Sequence, residues 1–449
     1  MDNTKRSSAS RRRFLKSAGG YAAVATVAAP SVFTSRARAA QKTLKIMQWK
    51  HFVPGHDRWF DDTYIKEWSE RNDTRIIIDH VGLGDINRLT AAEAKAGHGH
   101  DLVMLLVPPS VYEDQVIDHR EIYEECERLY GKAADVAIKS TYNPKSQKFF
   151  GFSVAYLPPI LTYRKDLWDT VGGVPNSWQD VLVGGRRIKL LHEKPVGISL
   201  ATEHNSEHTL RAIMYSFGAS VQDADGNPSL KSKATIEAIK YVKSLYEQAM
   251  TEEVLTWDAS SNNRYMLLGD GSLTVDTISV VRASENKQMP VADNLWLARL
   301  PEGPAARLGP SFGILTYFVW KFADNIEGAQ KFLVDYIAGS QQSLLASGFQ
   351  NMPAFSNSVP ELANLVSNDP NAPSPEKYSV LADGGLSWTT NLGNPGYANA
   401  AIGEIYASRL ISRMCAQAAT GQLTSEEALD QADKQVRQVF QTWKEKGRI

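Results

Sequence analysis

Apolar and polar positions alternate from Leu44 to Trp49, the period of a half-buried strand. Trp59, Phe60, Tyr64, Ile65 and Trp68 then fall at helical spacing, with Asp57 placed to cap that helix. Ile76-Ile77-Ile78 marks a second strand over 75–79, and 87–96 reads as a helix stopped by Gly97. Leu102 to Val107 is apolar throughout, as in a buried parallel strand, and Pro108-Pro109 ends it. A β-α-β-α-β opening predicts an α/β sheet with helices on both faces.

The middle of the chain has another texture. Helices are predicted over 178–191 and 234–248, the second with Ile236, Ile239, Val242, Leu245 and Tyr246 on one face. Short strands are predicted over 196–200 and 272–277. Pro301, Gly303, Pro304, Gly309 and Pro310 break the pattern before an apolar stretch at 312–322 and a helix at 326–338. Residues 352–375 read as irregular, and 398–443 as helical, with Thr424-Ser425-Glu426-Glu427 starting the last helix. No internal repeat is visible.

The N-terminus changes the picture. Ser10-Arg11-Arg12-Arg13-Phe14-Leu15-Lys16 fits the twin-arginine export pattern, with Arg11, Arg12, Phe14, Leu15 and Lys16 as its signal positions. An Ala- and Val-rich stretch from 18 to 33 follows, then Ala37-Arg38-Ala39, a small-x-small cleavage site. The stretch falls short of the ~20 strongly apolar residues of a membrane span. Residues 1–39 are therefore expected to be a removable twin-arginine signal peptide. With no cysteine after the cut to carry a lipid, the mature chain is expected free in a periplasm. Of 49 Lys and Arg and 50 Asp and Glu, eight and one fall in that segment. The remainder carries 41 against 49, a net charge of −8 that offers no footprint for nucleic acid or anionic membrane. Its 410 residues suit two domains. Cys126 and Cys415 leave open one long-range disulfide or two buried thiols, with thiols favoured.

No Walker A loop or Gly-x-Gly-x-x-Gly fingerprint occurs. His98, His100 and Asp101, and Glu203, His204, Glu207 and His208, resemble ligand clusters but lack a zinc-protease order, so no metal and no cofactor are expected. Asp223-Ala224-Asp225-Gly226-Asn227 fails calcium-loop spacing and reads as a polar hairpin turn. Asp85, Glu203 and Asp276 are not paired by any pattern that a glycoside hydrolase would need, and no enzyme is expected.

Five blocks in order, among them TAAEAKAGHGHDLVM (90–104), LTYRKDLWDTVGGVPNSWQD (161–180) and 300–339, which opens LPEGPAARLGPSFGILTYFVWKF, resemble the family 1 extracellular solute-binding proteins of ABC importers, the group of maltose- and other sugar-binding proteins. The others are 234–277 and 424–440. The resemblance implies a two-lobed α/β periplasmic-binding fold, type II and maltose-binding-protein-like. Crossing strands would form a hinge near 156–158, 307–310 and 351–354, with ligand in the cleft. It implies an N-terminal lobe of 40–156 plus 309–352 and a C-terminal lobe of 157–308 plus 353–449. It also implies a monomer that delivers a carbohydrate or polyol to a membrane permease, whose partner ATPase subunits hydrolyse ATP. The same fold with a polyamine, opine or sugar phosphate, and an exported metal-dependent enzyme, are the alternatives.

A sugar site needs flat aromatic faces with polar groups at their rim, on loops after strand ends. Trp49, His51 and Phe52 follow the first strand, Asp85 the second and Tyr112 the third. Glu203, His204 and Asn205, Trp257, and Asp276 with Thr277 are the second-lobe candidates. Tyr156, Ser311 and Phe312 lie at crossings, and Trp388 is expected as an exposed platform in a Gly/Ser/Thr/Asn-rich loop.

Overall fold

Among the described residues thirteen strands follow in chain order. They are β1 (Lys42–Trp49), β2 (Thr74–Val81), β3 (Leu102–Leu105), β4 (Tyr142–Asn143), β5 (Lys148–Phe149), β6 (Phe152–Leu157) and β7 (Ile160–Arg164), then β8 (Leu273–Asp276), β9 (Leu295–Ala298), β10 (Gly309–Pro310), β11 (Gly313–Val319), β12 (Met352–Pro353) and β13 (Thr389–Thr390). The computed structural model describes residues 42–370 and 372–449. The signal positions Arg11, Arg12, Phe14, Leu15, Lys16, Ala37 and Ala39 lie outside the described residues.

The first sheet runs β12-β6-β11-β3-β1-β2. β1 pairs in parallel with β2 and β3, as the β-α-β-α-β pattern predicts, and β11 returns antiparallel between β3 and β6. The second sheet, β8-β7-β9, is antiparallel throughout. Pro158-Pro159 alone separates β6 in one sheet from β7 in the other. Phe60, Tyr64, Tyr317, Phe332 and Tyr336 make an aromatic core behind the first sheet. Trp168, Trp178, Val181, Ile188 and Val196 are buried in the second lobe.

Several elements differ from the pattern. The helix expected from 59 starts at Pro54, whose fixed φ and missing N–H suit a first helical position. It passes through a π-turn at Phe60–Tyr64 and continues as Ile65–Asn72. Asp57 is therefore not its cap; it accepts a hydrogen bond from the His51 backbone at 3.1 Å. The helix expected from 87 begins at Leu83, and Gly97 closes it with φ 70°. The strand expected at 196–200 is a buried extended segment with one bridge, Val196 to Leu273, because Leu200 turns away to bond Val254. The C-terminal run is three helices, Ala400–Ala407, Leu410–Ala419 and Ser425–Glu445. Thr424 and Glu427 form a reciprocal capping box on the last. Asp223 accepts from the backbone of Asp225 and Asn227, closing the predicted polar turn with a Gln222–Pro228 bridge. Cys126 and Cys415 are buried free thiols.

Candidate ligand-binding cleft

Where the chain crosses between sheets, Leu106, Leu157 and Phe312 form an apolar floor. The loop after β1 puts Phe52 on one side of it, and the segment entering β12 adds Gln350. The facing wall belongs to the second lobe. His204 and Asn205 open the helix His204–Ser216, Asn263 lies on Ser261–Leu267, and Asp276 ends β8 with Thr277 and Ser279 just after it. Together they enclose a cavity of about 120 Å³. A neighbouring cavity of about 220 Å³ meets it at Leu106, His204 and Ala259 and adds Asn87, Glu203, Tyr406 and Arg409.

The polar groups of this cleft are held in different ways. Glu203 caps its helix, accepting from the backbone N–H groups of Asn205 and Ser206 at 2.6 Å each. Burial pushes its carboxyl above the ordinary range. Burial likewise pushes Asp276 up to about 6, against hydrogen bonds from Asn262 and the Thr277 backbone. His204 is neutral, its pKa lowered to about 4 by burial and by Arg409. In contrast, Asn205 Oδ1, Asn263 Oδ1 and both amide atoms of Gln350 are buried with no hydrogen-bond partner among the described residues. Three amide side chains, drawn from both sides of the cleft, thus carry unused acceptor oxygens at one cavity, and Gln350 an unused donor as well. Buried groups of this kind favour a ligand that pairs with them.

The expected site residues separate into two groups. Phe52, His204, Asn205, Asp276, Thr277 and Phe312 line the main cavity, and Glu203 lines its neighbour. Trp49 is 1% exposed and packs edge-on to Phe52 from within the core. His51 is buried behind them and holds Asn351 at 3.1 Å, with burial lowering its pKa to about 3. Tyr156 is buried and donates to Gly384. Ser311 bridges the β6 backbone at Leu157. Asp85 points outward to Arg88. Tyr112 packs on Trp320, and Trp257 on Tyr265. Trp388 corrects the expectation most sharply. It is fully buried, not exposed, and its indole N–H donates to Pro159 at 2.6 Å beside the first crossing. Glu203 to Asn205 is a helix start rather than a loop. Gln350, Asn263, Ser279 and Arg409 were not expected. Gln350 lies two residues before β12, beside the segment 351–354 where a crossing was expected, but nothing local marks Asn263.

Residues 129–342 match the model of a family described as bacterial extracellular solute-binding protein. A protein of Brucella abortus (strain 2308), named as a binding protein, is 23% identical over 190 residues, 41% of this chain. The chain spans 46% of the length of that relative. A sugar transporter of Arthrobacter chlorophenolicus A6 with bound laminaribiose superposes at TM-score 0.72 and 14% identity, over 88% of this chain and 99% of that one. Maltose-bound MalE3 of T. maritima gives 0.69 and 17%, over 88% and 99%. An ABC transporter solute-binding protein of Agrobacterium radiobacter K84 in complex with ribitol gives 0.71 and 15%, over 89% and 98%. The chain has the two-lobed, maltose-binding-protein-like periplasmic-binding fold.

Proposed function

We propose that this protein is the solute-binding component of an ABC importer, capturing a neutral carbohydrate or polyol between its lobes and passing it to a membrane permease. The observation that carries the reading is the convergence of Asn205, Asn263 and Gln350, with unused amide atoms, on a cavity flanked by Phe52 and Phe312. Amides donate and accept at once, as hydroxyls do, and phenyl faces suit the C–H faces of a sugar ring. Of the residues lining the two cavities, Arg409 is the basic one, against Asp276 and Glu203. That balance favours hydroxyl donors over a phosphate ester. The family match and the sugars and ribitol bound by similar folds support the same ligand class.

In this reading the lobes comprise 40–156 with 309–352, and 157–308 with 353–449, and the chain acts as a monomeric binder rather than an enzyme. The twin-arginine pattern at 10–16 makes it a periplasmic protein exported along that route. A thermal-shift screen over sugars, polyols, polyamines and sugar phosphates tests the ligand class, because a ligand that binds the folded form raises Tm by mass action. A rise with maltose, laminaribiose, ribitol or tagatose is expected. A rise confined to polyamines or sugar phosphates would replace the reading.

A further inference from the structure

Gln350 owes its position to an unusual piece of backbone. Two consecutive residues before it, Gly348 and Phe349, have left-handed φ of 61° and 68°. For phenylalanine this conformation is strained and persists only where its surroundings enforce it. Part of the enforcement is local. The Gly348 and Phe349 N–H groups close the helix Ser340–Ala346 by bonding Leu345 and Leu344, and Asn351 N–H donates to Ser347 Oγ. The Gly348 carbonyl points outward, and Arg282 takes it.

Arg282 comes from the other side of the cleft. It lies on the helix Ser279–Asn286, whose Ser279 and Ala283 line the cavity. Its Nε donates to the Gly348 carbonyl at 2.9 Å. Its guanidinium lies 3.8 Å from the centre of the Tyr378 ring and 5.1 Å from that of Phe349. It pairs with Asp369 at 2.6 Å and Glu285 at 3.4 Å, while Tyr378 donates to Glu285 and Lys377 lies 3.8 Å from it. Two cations and two anions thus balance inside the protein, all four side chains nearly or fully buried. The fit also depends on Gly348. A Cβ there would meet Arg282 Nε at 3.3 Å, so glycine supplies both the φ and the room.

We propose that Arg282 is a positioning residue for ligand binding, clamping the left-handed Gly348–Phe349 turn across the cleft so that the Gln350 amide is held at the cavity. The clamp ties a second-lobe wall helix to the backbone that enters β12 of the first sheet. One side chain thereby sets both the approach of the two walls and the aim of a ligand-facing amide. The ligand-facing role rests on the carbohydrate reading above; the clamp itself does not.

The test uses Arg282→Lys in the full-length protein, which keeps the buried charge balance but loses the planar fork and its stacking. Without any ligand, hydrogen exchange over 348–352 is expected to quicken about tenfold, with the helix Lys233–Ala249 unchanged. Gly348→Ala, which pushes on the clamp from the turn side, is expected to give the same signature. Unchanged protection at 348–352 in both variants would overturn the clamp. For whichever of maltose, laminaribiose, ribitol and tagatose binds, Arg282→Lys and Gln350→Ala are each expected to weaken affinity about tenfold, and the double variant no more than either alone. Additive losses would overturn the action of Arg282 through Gln350. If none of the four binds, the carbohydrate reading fails while the exchange result still decides the clamp.

Discussion

Tyr406 donates its hydroxyl to Nδ1 of His204 at 2.5 Å, while the opposite ring nitrogen of His204 donates to the Phe312 carbonyl at 2.9 Å. The carbonyl can only accept, so Nε2 carries the proton and Nδ1 must accept from Tyr406. A neutral imidazole thus joins the C-terminal helices to the second crossing, at the seam between the two cavities. Tyr406→Phe leaves that nitrogen buried without a donor. We expect a loss of about 1–3 kcal/mol in urea unfolding, with His204→Ala in the Tyr406→Phe background adding less than it does alone.

His204 shares its neutral state with other buried histidines. Burial lowers His51 to about 3, His119 to about 4, and His208 well below 6.5. A histidine depressed in the folded protein contributes stability that is complete above its ordinary 6.5 and is lost as pH falls toward the folded value. Asp276, at about 6, and Glu203, also raised by burial, work the other way, because the folded form takes up their protons first. His100 also opposes, its pKa raised by the Glu93 and Asp79 carboxylates against the cost of its partial burial. The histidines prevail. Near pH 5 unfolding should take up on the order of two protons, a stability loss of about 3 kcal/mol per pH unit. Denaturant melts at pH 7, 6 and 5 read this directly; equal stability at all three would contradict it.

Phe52 and Trp49 touch, yet their substitutions should separate. Phe52 is 49% exposed at the cavity and Trp49 is in the core. Phe52→Ala is expected to weaken binding of the best sugar about tenfold with Tm within a degree or two, since little packing is lost. Trp49→Ala removes a buried side chain and should cost about 3–5 kcal/mol of stability. Calorimetry and melting of both variants decide it.

A carboxyl group accepts a hydroxyl hydrogen bond more strongly when it is ionised. With Asp276 near 6, affinity for a neutral sugar should rise between pH 5 and 7.5 and then level off. In Asp276→Asn the rise should vanish. Titration calorimetry across that range checks both.

The two thiols should be inert. Burial pushes Cys126 up to about 12 and Cys415 higher still. Native protein should give almost no reaction with a thiol-specific chromogenic disulfide, and two equivalents after denaturation. Zero equivalents in denatured, unreduced protein would mean a disulfide.

How far the sequence can be read depends on where polarity faces water. The helices Lys233–Ala249 and Ile326–Ala338 show clear periods because one face of each is solvated. The helix His204–Ser216 shows none, since 205–216 are buried all round and its polar residues bond inward. Trp388 sits among Gly, Ser, Thr and Asn, yet Gly385 lets its ring and Pro158 close together, so polar neighbours did not mean exposure. The cleft follows the same division. Loops after strand ends were legible, and Phe52 and Asp276 lie there. Gln350 and Asn263 were not, because a turn held from another lobe and a short helix decide which amide faces the cavity.

β11 lies between β3 and β6 in the first sheet, but it is made about 155 residues after β6. At bacterial synthesis rates that is a wait of roughly 8–30 s. Throughout it the facing edges of β3 and β6 have no strand between them, a standing invitation to wrong pairing in the nascent chain. Within the same interval β7, β8 and β9 are all made, and they pair with one another. The sheet that holds the first strand is thus closed only after every strand of the second sheet has been made, and a holding chaperone has most to protect there.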